Sequence, residues 1–170
     1  IRQLIIEKCL SSLGKEKVEE MIFSSDYDII TSQLFQTEEF IKILQEEDKF
    51  PTNYFFDIRP ALKNIHIEGT WIDENVMFDL RRSLQTIFDI VSFLNGEDDE
   101  NTPYPHLKAL SGDIATFPQL IRQIDSILDK YGRVKDNASS ELNRIRREMT
   151  QITSNISRTL NYILRSAQSE

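Results

Sequence analysis

Five arginines, Arg144, Arg146, Arg147, Arg158 and Arg165, fall in the last 33 residues of this 170-residue chain. Guanidinium groups repeated along one segment are suited to gripping phosphate oxygens. Set against Glu141, Glu148 and Glu170, they give residues 138–170 a net charge of +2, while the whole chain carries −8 and residues 1–137 therefore −10. An acidic body repels a phosphate backbone, whereas the arginine-bearing end can approach one. Arg144, Arg146, Arg147 and Arg158 are thus the candidate nucleic-acid contacts. Pairing with acidic neighbours, or plain solvation, is the competing role for each.

Other chemistries fail on spacing. A nucleotide loop needs bare backbone N–H groups close to phosphates, and neither G-x-x-x-x-G-K-[ST] nor G-x-G-x-x-G occurs; Gly14-Lys15 runs into Glu16. Cys9, His66 and His106 are scattered singles, read as packing or surface residues rather than as zinc ligands. The run Glu97 to Glu100 lacks the alternation of a calcium loop and reads as a solvated loop. Ser111-Gly112 has no preceding G-x, hence no nucleophile elbow. Glu38-Glu39 and Glu46-Glu47 are read as solubilising pairs, and Trp71 and Phe55-Phe56 as core rather than partner anchors. The segment is therefore expected to hold no catalytic residue, cofactor or metal of its own.

The elements that would carry the arginines are helices. Ile1–Leu10 and Lys15–Phe23 read as short helices separated by Gly14. Tyr27, Ile30, Leu34, Thr37, Ile41 and Leu44 recur on one helical stripe after Asp26 as cap, ending near Asp48. Asp57 is placed to cap a short helix with Pro60 in its first turn, and residues 65–71 are left open between a fraying helix and an extended connection. Asp73 opens a long helix to about Asn95, with Val76, Leu80, Leu84, Ile87, Val91 and Leu94 inward and Arg81, Arg82 and Asp89 outward. Helices around His106–Leu110 and Phe117–Asp129 follow. Residues 131–137 form a tight turn or at most a minimal β-ribbon.

The last helix is capped by Ser139 or Ser140 and has Leu142, Ile145, Met149, Ile152, Ile156 and Ile163 at heptad core positions, with Thr159 in the remaining slot. At roughly 28 residues it exceeds the average globular helix of about 11–12, so part of it should project or pack on a helix supplied from elsewhere. The expected fold is an all-α, multi-helix bundle of about six to eight helices with a long C-terminal helix.

The single cysteine excludes a disulfide scaffold, and no apolar run approaches the ~18 residues of a membrane span. A cytoplasmic protein with no membrane partner is expected. A start at Ile1, with helical patterns at both ends, reads as a piece of something longer.

Asp57-Ile58-Arg59-Pro60-Ala61-Leu62, the block Tyr131-Gly132-Arg133-Val134-Lys135-Asp136-Asn137-Ala138-Ser139-Ser140 continuing to Glu148, and Ile6 to Ser11 followed by Leu13-Gly14-Lys15 together resemble the N-terminal region of the MutS-two branch of the bacterial MutS family. The order of the blocks matches over nearly the full length. The resemblance implies a division into a helical core, residues 1–137, and the start of a lever directed toward a clamp, residues 138–170. Family members continue through a coiled-coil clamp to an ABC-type ATPase and a C-terminal Smr nuclease domain, both absent from this chain. It also implies a homodimeric parent using ATP and Mg, which binds DNA through its clamp, restrains recombination and acts on stalled ribosomes. With Walker, signature and Smr residues missing, no catalytic residue carries over.

A free-standing helical module whose last helix pairs in trans as a coiled coil, with no nucleic-acid role, is the alternative. On the first reading the chain by itself binds nucleic acid weakly, because the acidic body opposes it and the clamp is missing.

Overall fold

The computed structural model describes residues 1–46, 50–96 and 103–168, so the end of the third helix near Asp48 and the acidic run Glu97 to Glu100 lie outside the described residues. Eight α-helices and no strand occur among those described: α1 (Arg2–Ile6), α2 (Ser12–Glu19), α3 (Tyr27–Glu46), α4 (Arg59–Leu62), α5 (Glu74–Asn95), α6 (Pro105–Ser111), α7 (Pro118–Ile127) and α8 (Ser140–Gln168). The protein is all-α, and the β-ribbon reduces to one antiparallel bridge between Leu128 and Val134. Two compact units divide within α7, one formed by Ile1–Ile124 and the other by Asp125–Glu170.

Local capping chemistry sets most helix starts. The Ser11 hydroxyl accepts from the Gly14 N–H at 3.0 Å, Asp26 Oδ1 accepts from Asp28 and Ile29, and Asp73 Oδ1 accepts from Asn75 at 2.8 Å. Because Ser11 starts α2 early, Gly14 lies inside its first turn and is not the stop between the first two helices. The break falls instead over residues 7–11, and α1 is correspondingly short. Asp57 sits one residue outside the expected cap position; Ile58 is the N-cap of α4, and Asp57 Oδ1 accepts from the Arg59 N–H at 3.1 Å.

The core of the first unit joins α3, α5 and α6. Ile43 is fully buried with Leu94 and Tyr104, and Phe50, Ile90, Phe93 and Leu107 pack around them. Phe40, Phe50, Phe93 and Tyr104 run through it as a chain of ring contacts at 5.3–5.9 Å. One carboxylate lies in this packing. Glu39 is only 6% exposed, and its two oxygens accept the backbone N–H groups of His106 and Leu107 at 3.1 and 2.8 Å, which caps α6 from across the fold. This overturns the solubilising role expected of Glu39, whereas its neighbour Glu38 does face solvent and pairs with Lys42 at 3.3 Å.

Seating α3 through Glu39 and Ile43 turns its expected stripe outward. Tyr27, Ile30, Leu34, Ile41 and Leu44 are all exposed, as are Met21, Ile22 and Phe23 before them. On α5 the most buried side chains are Ser83, Thr86 and Leu94, while Val76, Leu80, Leu84 and Val91 are half-buried and Ile87 is exposed. Ser83 donates to the Tyr54 carbonyl and accepts from the Phe56 N–H, and Thr86 donates to the Asn53 carbonyl, so two hydroxyls bind the segment 53–56 to the helix.

Arg82, expected outside, is half-buried among aromatic rings. Its guanidinium lies 4.6–4.8 Å from the rings of Tyr54, Phe56 and Phe78 and pairs with Asp79. Trp71 departs in the opposite direction and is 85% exposed. The Thr70 hydroxyl donates to the Asn64 and Ile67 carbonyls at 2.7 Å, folding residues 64–70 into turns that leave the indole outside. Phe55 and Phe56 are half-buried.

Arg59 accounts for the D-x-R-P pattern. Its Nη2 contacts Asp57 Oδ2 and Glu16 Oε2, both at 2.8 Å, tying the start of α4 to α2. The guanidinium beside it holds the Asp57 carboxyl below its ordinary value.

Glu39→Ala leaves two helix N–H groups without their acceptor. Urea unfolding of this variant is expected to show a loss of about 1–3 kcal/mol, with Glu39→Gln recovering part of it. Glu38→Ala, which removes only an exposed pair, should cost below about 0.5 kcal/mol. Equal losses for the two alanine variants would remove the cap from the account of this core.

Candidate nucleic-acid interface

The arginines are positioned by the turn that precedes α8. Leu128 and Val134 pair across it, the Lys135 N–H donates to the Ile127 carbonyl at 2.8 Å, and Gly132 supplies a φ of +80° that a side chain rarely adopts. Asp129 organises the interior: Oδ1 accepts from the Tyr131 and Arg133 N–H groups at 2.8 and 2.9 Å. Those donors, that of Arg133 foremost, hold the Asp129 carboxyl below its ordinary value. The Ser139 hydroxyl then accepts from the Leu142 N–H at 3.1 Å and opens α8.

From this base α8 runs for 29 residues without Gly or Pro. It contains no buried residue. Ile145, Met149, Ile152, Ile156, Leu160 and Ile163 are each exposed, so the heptad stripe is intact and uncovered among the described residues.

The four candidate arginines fall into three different situations in the geometry. Arg144 bridges Glu141 and Glu148, at 2.6 Å in each case, and the Glu141 carboxyl is held down by that guanidinium. Arg146 donates to the Val134 carbonyl at 3.1 Å and pairs with Asp136, clasping α8 to the preceding turn. Arg147 and Arg158 have no ion-pair or hydrogen-bond partner among the described residues; together with Asn143, Thr150, Gln151 and Ser154 they line an open groove of about 720 Å³. The structure thus brings Arg146, Arg147 and Arg158 to one groove, with Arg146 engaged by Asp136, and leaves Arg144 to its flanking glutamates. The clasp of Arg146 was missed in the sequence; the available signal was Asp136 in a turn ten residues before an arginine in the first turns of a helix.

Elsewhere the chemistry is sparse. His106 stacks on Phe35 at 4.7 Å and the Cys9 thiol donates to the Ile5 carbonyl, so both are packing residues. Among the described residues no three His, Cys, Asp or Glu side chains gather as a metal site, and no helix is long and apolar enough to cross a membrane.

No family model matches the chain. Over all 170 residues it is 28% identical to the endonuclease MutS2 of Geobacillus sp. (strain WCH70), 29% to that of Alkaliphilus oremlandii (strain OhILAs) and 25% to that of Bacillus cereus (strain B4264). It covers 22%, 21% and 22% of those proteins, so the chain spans about a fifth of the length of the curated relatives it matches.

The Asp129 geometry has a pH consequence of definite sign. A carboxyl whose folded pKa is lowered contributes stability that is present above its unfolded value and is lost as the pH falls through the folded one. A carbon-detected NMR titration should place the Asp129 midpoint below its ordinary 3.8. Asp129→Asn should remove the acid-dependent loosening of the Tyr131 and Arg133 amides. A midpoint at or above 3.8 would mean that those N–H groups do not face the carboxylate in solution.

Proposed function

We propose, from the premise that this chain is a fragment of a MutS2-type protein, that it is the non-catalytic core and lever segment of a nucleic-acid-binding ATPase and endonuclease. Residues 1–137 serve as core and residues 138–170 as the start of the lever. The observation that carries the reading is α8: an uninterrupted 29-residue helix, clasped at its base by Arg146 to Val134 and Asp136, with an apolar stripe open along its length. A hydrogen-bonded helix fixed at one end moves as a rod. It can therefore pass nucleotide-driven motion of a distant ATPase to a nucleic-acid clamp, and the stripe supplies the face on which the remainder of a lever packs. The parent's DNA binding, its restraint of recombination, its action on stalled ribosomes, its homodimeric state and its use of ATP and Mg belong to this proposal, as does a cytoplasmic location. Arg147 and Arg158 are its available phosphate contacts in this segment.

The open stripe of α8 also favours a second reading, a self-contained module that pairs in trans as a coiled coil. Sedimentation separates the two. Self-association that persists when the chain is extended beyond Glu170 supports trans pairing, and association that vanishes on extension supports a lever completed within one chain.

Ile152→Pro removes a helical hydrogen bond and introduces a ring clash worth about 3 kcal/mol or more in mid-helix, leaving the clasp at Arg146 in place. In a MutS2-length protein carrying this segment, the proline variant is expected to lose the ATP-dependent change in nucleic-acid retention, while Ile152→Ala keeps it. Retention that responds to ATP equally in both variants would end the lever reading.

A further inference from the structure

The side of α8 opposite its apolar stripe has a composition found nowhere else in this acidic chain. From Met149 to Gln168 there is not one Asp or Glu, while the chain as a whole carries −8. At 3.6 residues per turn, Arg147, Arg158 and Arg165 fall within about 20° of a single line along the helix, with successive rises of roughly 16 and 10 Å. Gln151, Ser154 and Asn161 lie within about 50° of the same line, so neutral hydrogen-bonding groups fill the intervals between the guanidinium groups; the Thr150 hydroxyl, further round, already donates to the Arg146 carbonyl. Ile156 lies diametrically opposite, in the middle of the apolar stripe. None of the three arginines has an ion-pair partner among the described residues, in contrast to Arg144 and Arg146, whose charges are spent on Glu141, Glu148 and Asp136.

We infer that this face binds the sugar–phosphate backbone of a nucleic acid, with Arg147, Arg158 and Arg165 as the phosphate contacts and the intervening amides and hydroxyls as further donors. The inference rests on the reading of the chain as part of a nucleic-acid-handling protein and goes beyond it, by locating a contact on the lever helix itself and by adding Arg165. Three guanidinium groups on a common line match a repeating row of anions better than a single compact one. Asn, Gln and Ser between them donate to phosphate and sugar oxygens without excluding any base. Binding here is thus insensitive to base sequence. It is weak in the isolated chain because residues 1–137 carry −10, and it depends strongly on salt. Asp136 also lines the groove, but its charge is taken up by Arg146. The stripe on the other side stays available for packing, so α8 can hold a partner helix and a nucleic acid at once.

The test is fluorescence anisotropy of the 170-residue chain with a labelled 30-base-pair duplex of mixed sequence, at salt concentrations from about 20 to 100 mM, where each phosphate contact contributes about 0.9 to the log–log salt slope. The combined variant Arg147→Gln, Arg158→Gln, Arg165→Gln is expected to lower the slope by about 2.7 with unchanged helical circular dichroism. The corresponding triple lysine variant should keep the slope, and Arg144→Gln should leave it untouched. A slope that survives the triple glutamine change, or falls as far with Arg144→Gln, overturns the inference. Displacement of the duplex by polyglutamate as effectively as by unlabelled DNA of equal charge also overturns it, in favour of an acidic protein partner. Should Ile152→Pro uncouple ATP from nucleic-acid retention while the salt slope ignores the three arginines, this inference fails and the lever reading stands. An intact slope loss with no effect of Ile152→Pro gives the converse.

Discussion

The arrangement of the first unit depends on a carboxylate placed where an apolar side chain would be expected. Glu39 faces into the packing between α3 and α6 and accepts the N–H groups of His106 and Leu107. A seven-residue helix is too short to hold itself together in water, and its leading N–H groups need acceptors wherever they are buried. By supplying both, Glu39 converts α6 from an unstable turn into a surface on which Tyr104 and Leu107 meet Ile43 and Leu94. The same contact fixes the rotation of α3 about its own axis. With Glu39 and Ile43 inward, Tyr27, Ile30, Leu34 and Leu44 have nowhere to go but outward.

That dependence explains which parts of the fold were legible in the sequence. Helix existence was, since Asp26, Asp73 and Ser139 are capping residues whose chemistry acts within three residues and needs no knowledge of the rest of the chain. The long helices α5 and α8 emerged from periodicity for the same reason. The inward face of α3 did not, because periodicity reports that a stripe exists and is silent on what covers it; a buried Glu with a backbone partner 67 residues away leaves no local trace. Arg82 and Trp71 were misplaced by one cause. Side-chain type predicts burial only on average, whereas three aromatic rings can shelter a guanidinium and a run of turns can expel an indole.

The candidate site divides along similar lines. That the arginines gather near the C-terminal end is visible in composition alone. Their separate duties depend on distances that composition does not contain. Arg144 has glutamates three positions before and four after, a spacing at which helix side chains meet, and this pairing could have been anticipated. Arg146 is held by a carbonyl and a carboxylate of the preceding turn, which requires the turn's geometry. Its substitution would act on the direction of α8 before it acted on any ligand.

Two long helices therefore share one physical situation: each exposes an apolar stripe that no described residue covers. Scattered apolar side chains on a surface are ordinary, but continuous stripes on α3 and α8 are faces awaiting a neighbour. In a chain that spans about a fifth of its relatives, that neighbour need not be a separate molecule. On this view α3 offers a face to complete a larger helical core, and α8 offers one to complete a lever. The polar side of α8, with its unpaired arginines, is the face that such packing leaves in solvent. A helix built this way keeps its apolar stripe and its arginine-bearing face on opposite sides, so a change in one can be made without altering the other.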